Sequence, residues 1–328
     1  MGFPSKEEKM KMKKGLVAVI LACTFTLALT CAASAEWKPS QVVSIVVPAN
    51  AGGDTDIIAR TFAQYAKKFS GVDCIVVNVS GAAGSIASNQ VLESEPDGYT
   101  CLFGHTLVNV ANIAGVTDFN YTAFKLGPTF VKSPAQQLYV NASKYKNLDE
   151  FIAAAKANPG KLTTSVEVGA YSYYNLQAFA KAAGIELDLV DIGTTSEKLS
   201  AMLAGMIDLM PSAYSVTKDY VEAGQFAMIG VPTAQRYEIL KDFPTFKEQG
   251  IDFVFPDADY SFYFPAGTPD EVISWYEEIT KKIVNDPQAR ETIENIEFMP
   301  FYLSAEDSAK NEEHLFNTLL RVSKEIEQ

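Results

Sequence analysis

The chain has 328 residues, with 27 Lys and Arg against 40 Asp and Glu, a formal net charge of -13, and 48% hydrophobic residues. That length suits two domains or one large one, and a charged fraction of 20% is too low for a disordered chain. No basic stripe follows the first residues, which argues against a nucleic-acid partner. His105 and His314 lie far apart and the four cysteines show no CxxC spacing, so no metal site and no cofactor is expected.

Lys9, Lys11, Lys13 and Lys14 precede an apolar run from Gly15 to about Ala33, which ends in Ala33-Ser34-Ala35 before Glu36. A basic segment, an apolar segment and a small-x-small site together read as an export signal over residues 1–35, cut after about Ala35. Thr24, Thr26 and Thr30 interrupt the run, which weighs against a membrane anchor. Cleavage removes five Lys and two Glu and leaves 22 basic against 38 acidic residues. Only Cys74 and Cys101 then remain. An oxidising compartment permits a disulfide between them, but both fall in apolar runs that read as separate strands and favour buried thiols.

In chain order, Val42–Val47 is a β-branched strand ended by Pro48, followed by a Gly-Gly loop and a helix over Asp54–Phe69. Ile57, Ile58, Phe62, Tyr65, Ala66 and Phe69 recur at helical spacing, with Asp54 or Asp56 as N-cap and Gly71 past the end. A strand at Cys74–Val79, a Ser-Gly-Ala-Ala-Gly loop, a helix at Ser85–Glu93, a turn at Pro96-Asp97-Gly98 and a strand at Tyr99–Phe103 complete a βαβαβ unit. The theme repeats. Strands are predicted at Gln137–Val140, Leu162–Val166, Asp188–Asp191, Ile207–Met210 and Phe226–Val231, and helices at Leu148–Ala157, Tyr173–Ala183, Ser196–Ala204 and Thr217–Ala223. An aromatic return strand at Phe253–Tyr263 and helices at Pro269–Asn285 and Ser304–Glu327 close the first lobe. The expected fold is therefore α/β, with two lobes that are each a mostly parallel sheet flanked by helices. Residues 36–137 and 258–328 form lobe 1, residues 138–257 form lobe 2, and a cleft lies between them.

The loop Pro48–Asp56, with Ala49, Gly52 and Gly53, joins a strand to a helix N-terminus, where backbone N–H groups favour an anion. Ser80-Gly81-Ala82-Ala83-Gly84 occupies the same place in the next unit, so two such loops emerge on one rim. The spacing matches neither GxGxxG nor the P-loop. His105 and Thr106 end the third strand on that rim. In lobe 2, Thr164-Ser165 and Gly169-Ala170-Tyr171-Ser172-Tyr173-Tyr174-Asn175 offer hydroxyls and flat apolar walls, which points to a ligand with an apolar or aromatic body. Glu167 and Asp191 stand near this rim and could meet a ligand ammonium or stay solvated.

The stretches Pro48-x-x-x-Gly52-Gly53-x-Thr55-Asp56-x-x-Ala59-Arg60, Val77-Asn78-x-x-Gly81-Ala82-x-Gly84, Pro96-Asp97-Gly98-Tyr99-Thr100, Ala154–Lys161, Gly205-x-x-Asp208 and Pro265-Ala266-Gly267-Thr268-Pro269 follow one another along nearly the whole mature chain. In that order they resemble the exported solute receptors of tripartite tricarboxylate transporters, the Bug family. The resemblance implies a two-lobed periplasmic binding protein of the Venus-flytrap, type II kind that closes as a monomer on a small organic carboxylate and delivers it to membrane subunits. It implies ligand contacts at Gly52, Gly53, Asp56, Gly81, Ala82 and Gly84, with Ser165 and Ser172 opposite; Ala49, His105, Thr106, Gly169, Tyr171 and Asp191, which stand on the same rims by the reading of the loops and strand ends above, complete the expected ligand-binding set. Departures are Ser80 for a usual Pro, Ala83 for a Gly, Asn175 for a His, and Asp191-Ile192 for Pro-Tyr. The other classes weighed are a ligand sensor for a membrane kinase and a secreted hydrolase. The latter lacks a Gly-x-Ser-x-Gly elbow.

Overall fold

Alternation of short β-branched runs with amphipathic helices builds two sheets. The computed structural model describes residues 6, 7, 10, 37–193 and 195–326, so the export segment and its Ala33-Ser34-Ala35 site lie outside the described residues. From Lys38 onward the chain clusters as one unit. In chain order it contains β1 (Val43–Val47), α1 (Asp54–Ser70), β2 (Cys74–Asn78), α2 (Ser85–Leu92), β3 (Thr100–His105), α3 (Leu107–Ile113), β4 (Phe124–Ser133) and β5 (Gln137–Asn141). Next come α4 (Leu148–Ala157), β6 (Thr163–Val166), α5 (Tyr171–Ala183), β7 (Asp188–Asp191), α6 (Thr195–Leu203), β8 (Leu209–Ser212), α7 (Tyr214–Glu222) and β9 (Phe226–Gly230). The chain ends with β10 (Ala258–Pro265), α8 (Asp270–Asn285), α9 (Pro287–Asn295), β11 (Met299–Leu303) and α10 (Ala305–Ile326).

The first sheet has the order β11-β4-β10-β3-β1-β2 and the second β7-β6-β8-β5-β9. Their cores are the expected parallel units, β3-β1-β2 and β7-β6-β8. Both sheets are mixed, because β10 and β4 join the first antiparallel and β5 joins the second antiparallel. The chain passes between sheets through residues 134–136 and again through residues 253–257, which carry no regular strand; the return strand starts only at Ala258. A third connection is α10, whose Leu319, Val322 and Ile326 pack into the hydrophobic cluster of the second sheet with Phe179 and Tyr174. Among the described residues no helix is long and apolar enough to cross a membrane.

Parallel strands end on one edge of each sheet, so the following loops and helix N-termini gather there. The N-cap of α1 differs from expectation: it is Gly53, not Asp54 or Asp56. Asp54 is drawn aside by the Thr55 N–H and the Tyr260 hydroxyl, each at 2.9 Å. Asp56 turns back to the Gly52 N–H, Arg60 and Asn78. Gly71, in the left-handed conformation, ends α1 as expected. Cys74 and Cys101 are free thiols on β2 and β3, on opposite sides of β1. Burial pushes both thiols up, that of Cys74 to about 12.

Candidate functional site

A cavity of about 80 Å³ lies between the two sheets. The first sheet supplies Pro48, Ala49, Asn50 and Gly53 from the β1–α1 loop, Asp54 and Thr55 from the first turn of α1, Ala83 and Gly84 before α2, and His105 at the end of β3. The second supplies Glu167 after β6, Tyr171 and Ser172 at the start of α5, and Thr195, Ser196 and Lys198 at the start of α6. Gln136, in the crossing segment, completes the wall.

Helices α1, α2 and α5 begin here with Gly53, Gly84 and Ala170 as N-caps, none of which makes a side-chain cap. Away from the cavity, α4 and α9 are capped by Asn147 and Asp286, whereas α7 and α8 also begin without a side-chain cap. An uncapped N-terminus offers N–H groups without helical acceptors and a partial positive charge, so three at one cavity favour an anion. The approach of α2 depends on Gly84, at φ +84°, where a Cβ would stand 2.6 Å from Leu107 Cδ1 and 3.3 Å from Pro48 Cβ. Ala82 and Ala83 hold left-handed backbone at φ 48° and 51° beside it, so strain is concentrated at the site.

Lys198 dominates the electrostatics. It is 4% exposed and sits in the first turn of α6, so burial and the helix dipole both oppose its charge. Burial pushes its ammonium down to about 8, against the pull of Glu167, Asp54, Asp191 and Glu197. Its Nζ donates to Ser172 Oγ at 2.9 Å, and no carboxylate comes within ion-pair distance of it among the described residues. Burial pushes the Glu167 carboxyl up, against Lys198 and the Ala83 N–H, which faces it from the first sheet. Burial holds His105 below the usual histidine range, Asp54 pulling the other way, which keeps the imidazole neutral. Its ring meets Tyr171 edge-on at 5.3 Å. The Tyr171 hydroxyl is held by Pro256 O. Ser196 Oγ and Gln136 Oε1 are buried without a hydrogen-bond partner among the described residues.

Of the residues expected from the sequence, Ala49, Gly53, Gly84, His105, Tyr171 and Ser172 meet at the cavity. Gly81, Ala82 and Asp191 line a shallower neighbouring depression with Glu167 and Glu197. Gly52 and Asp56 brace the first loop from behind through the bond between them at 2.9 Å. Thr106 is fully buried at the start of α3. Ser165 is fully buried on β6, its Oγ unpartnered among the described residues. Gly169 faces Val116 and Ala114 across the cleft. Tyr173 and Tyr174 stack edge-on with each other at 5.4 Å and pack in the core of the second sheet. Lys198, Gln136, Thr195 and Ser196 were not anticipated. The sequence does carry a signal for Lys198: a lysine in a helix first turn, directly after a strand and a Gly-containing loop, stands where the dipole disfavours it.

A family model described as "Tripartite tricarboxylate transporter family receptor" matches residues 58–327. A UPF0065 protein from the gbd 5' region of Cupriavidus necator is 27% identical over 302 residues, covering 90% of each chain. Among solved structures, Rpa4515 of R. palustris with adipate aligns with a TM-score of 0.81 at 24% identity, over 88% of this chain and 98% of the other. MatC from Rhodopseudomonas palustris with bound malate aligns at 0.80 and 21% identity, over 87% and 99%.

Proposed function

The chain belongs to the tripartite tricarboxylate transporter receptor family, and on that premise we propose that it captures a small organic carboxylate between its two sheets and hands it to the membrane subunits of such a transporter. The observation that carries this reading is the buried Lys198 ammonium, without an ion-pair partner among the described residues, beside three helix N-termini that lack side-chain caps. A buried cation with one hydroxyl acceptor is costly, and a bound carboxylate supplies the missing charge and acceptors. Two chains of this fold hold adipate and malate.

The net charge does not oppose the site. Surface carboxylates are screened over about 8 Å at physiological salt, whereas dipoles inside a closed cleft are not. The basic and apolar N-terminal segment supports export with cleavage after about Ala35 and a periplasmic working protein; on this reading it acts as a monomer. Residues 36–137 and 258–328 serve as one lobe and 138–257 as the other, closing on the ligand. Recognition is non-covalent and calls for no cofactor.

The test is a thermal-shift panel of carboxylates, amino acids and uncharged sugars on protein stripped of ligand by unfolding and refolding. A ligand at 100 times its dissociation constant adds about 2.7 kcal/mol. A shift confined to molecules bearing a carboxylate, and lost in Gly53→Pro, supports the reading. A shift with sugars alone would overturn it.

A further inference from the structure

The charges around the cavity do not suit a plain anion. Asp54, Glu167 and Lys198 line it. Asp54 is already committed to the Thr55 N–H and the Tyr260 hydroxyl. Lys198 lines the cavity and gives one N–H to Ser172 Oγ, with no second acceptor among the described residues. The Glu167 carboxylate meets the Ala83 N–H and, among the described residues, receives no side-chain donor. A cation and an anion therefore share one cavity without pairing with each other.

A ligand bearing only carboxylates would match Lys198 and set a second anion against Glu167. A ligand bearing only an ammonium would match Glu167 and leave Lys198 bare. Asp191 and Glu197 deepen the negative field on the Glu167 side, His105 contributes no charge, and the Tyr171 hydroxyl is taken by Pro256 O. Ser172 Oγ accepts from Lys198 and from the Glu167 N–H at 3.3 Å, so its own proton remains to be donated. Ser196 Oγ is a second hydroxyl at the same wall, with no partner among the described residues.

Resting on the carboxylate-receptor reading, we propose that the ligand is a small amino-carboxylate, its carboxylate held by Lys198 with the Ser172 and Ser196 hydroxyls and its ammonium held by Glu167. The molecule is a zwitterion, so binding leaves the net charge of the cavity unchanged. Glu167 then also joins the ligand to the Ala83 turn across the cleft.

Calorimetry on ligand-stripped protein compares each amino-carboxylate with the same molecule lacking the amino group. The panel holds the standard α-amino acids and the ω-amino acids of three to six carbons, with succinate, glutarate and adipate added. At least one amino-carboxylate binds ten times or more tighter than its partner; Glu167→Gln brings that ratio to about one, and Lys198→Met weakens both members. The wild-type ratio stands whether or not a variant folds. A preference for the dicarboxylates would overturn this inference and leave the receptor reading standing. So would a ratio unchanged in Glu167→Gln protein that keeps the wild-type circular dichroism. Binding of no carboxylate of either kind would overturn both.

Discussion

Lys198 Nζ donates to Ser172 Oγ over 2.9 Å, which joins the first turn of α6 to the first turn of α5. The bond ties the two helix starts on this side of the cavity together, and burial makes the charge sensitive to pH. With the Lys198 ammonium pushed down to about 8, this side chain is charged below that pH and neutral above it. A bound carboxylate raises the value again, so affinity should be flat from pH 6.5 to 7.5 and fall by up to tenfold per pH unit above 8. The stability of the empty protein should move the other way. A cation lowered from its unfolded value of about 10.5 costs stability below pH 8, and that cost disappears between 8 and 10.5. Calorimetric affinities and thermal midpoints from pH 6.5 to 9.5 check both slopes. Parallel rather than opposite slopes would assign the effect to another group.

Glu312 gives the reverse sign at a distance from the cavity. Burial pushes its carboxyl up to about 8, although Asn109 Nδ2 at 2.6 Å and the Tyr263 hydroxyl at 3.0 Å favour the charged form. A carboxyl raised above its unfolded value contributes stability that is complete below about pH 4.5 and lost as pH rises through 8. The loss is on the order of a few kcal/mol for a shift of this size. Glu312→Gln keeps both partners and removes the titration, so its unfolding free energy between pH 5 and 8 should be flatter than that of the wild type.

Gly169 lies close against the first half of the molecule. A Cβ there would lie 2.9 Å from Val116 Cγ2 and 3.1 Å from Ala114 Cβ, at φ +79°. Gly169→Ala should weaken ligand binding by about tenfold, equivalent to about 1.4 kcal/mol. Gly184→Ala, at φ +62° with open space around it, carries the backbone strain alone and should leave affinity unchanged. Equal losses in both variants would show that strain, not the contact across the cleft, is responsible.

Ala83 holds φ 51° and ψ 34° where the receptors it resembles usually carry Gly. Left-handed backbone costs an L-residue roughly 1–2 kcal/mol, and the added freedom of Gly in the unfolded chain costs roughly 0.5–1 kcal/mol. The strain is the larger, so Ala83→Gly should raise the thermal midpoint by about 1–2 °C in scanning calorimetry.

The parallel cores were legible because β1, β2 and β3 are β-branched or apolar runs with clear Gly and Pro punctuation, and α1 was found to within a residue or two. Strand β4 was not read. Gly127-Pro128 in its middle looks like a turn, yet Pro128 falls where the register between β4 and β10 shifts, and a bulge tolerates the missing N–H. Strand β11 was hidden by Pro300 in the same way, and α3 by its length of seven residues and lack of charge. The loops of the first sheet announced the cavity. Lys198 did not, because a lone lysine in an amphipathic segment looks solvated until the fold turns α6 toward the first sheet.

Helix α10 gives the molecule a third tether beside the two crossing segments, with Leu315 and Leu319 along its buried side and the Glu325 carbonyl held by Lys181 of α5. Two irregular crossing segments alone would let the two sheets twist as well as bend relative to each other. A rigid rod laid over the joint resists torsion far more than flexion. If the two sheets part to admit a ligand, as proposed, this rod would confine the opening to a hinge, and the two faces of the cavity would rejoin in register.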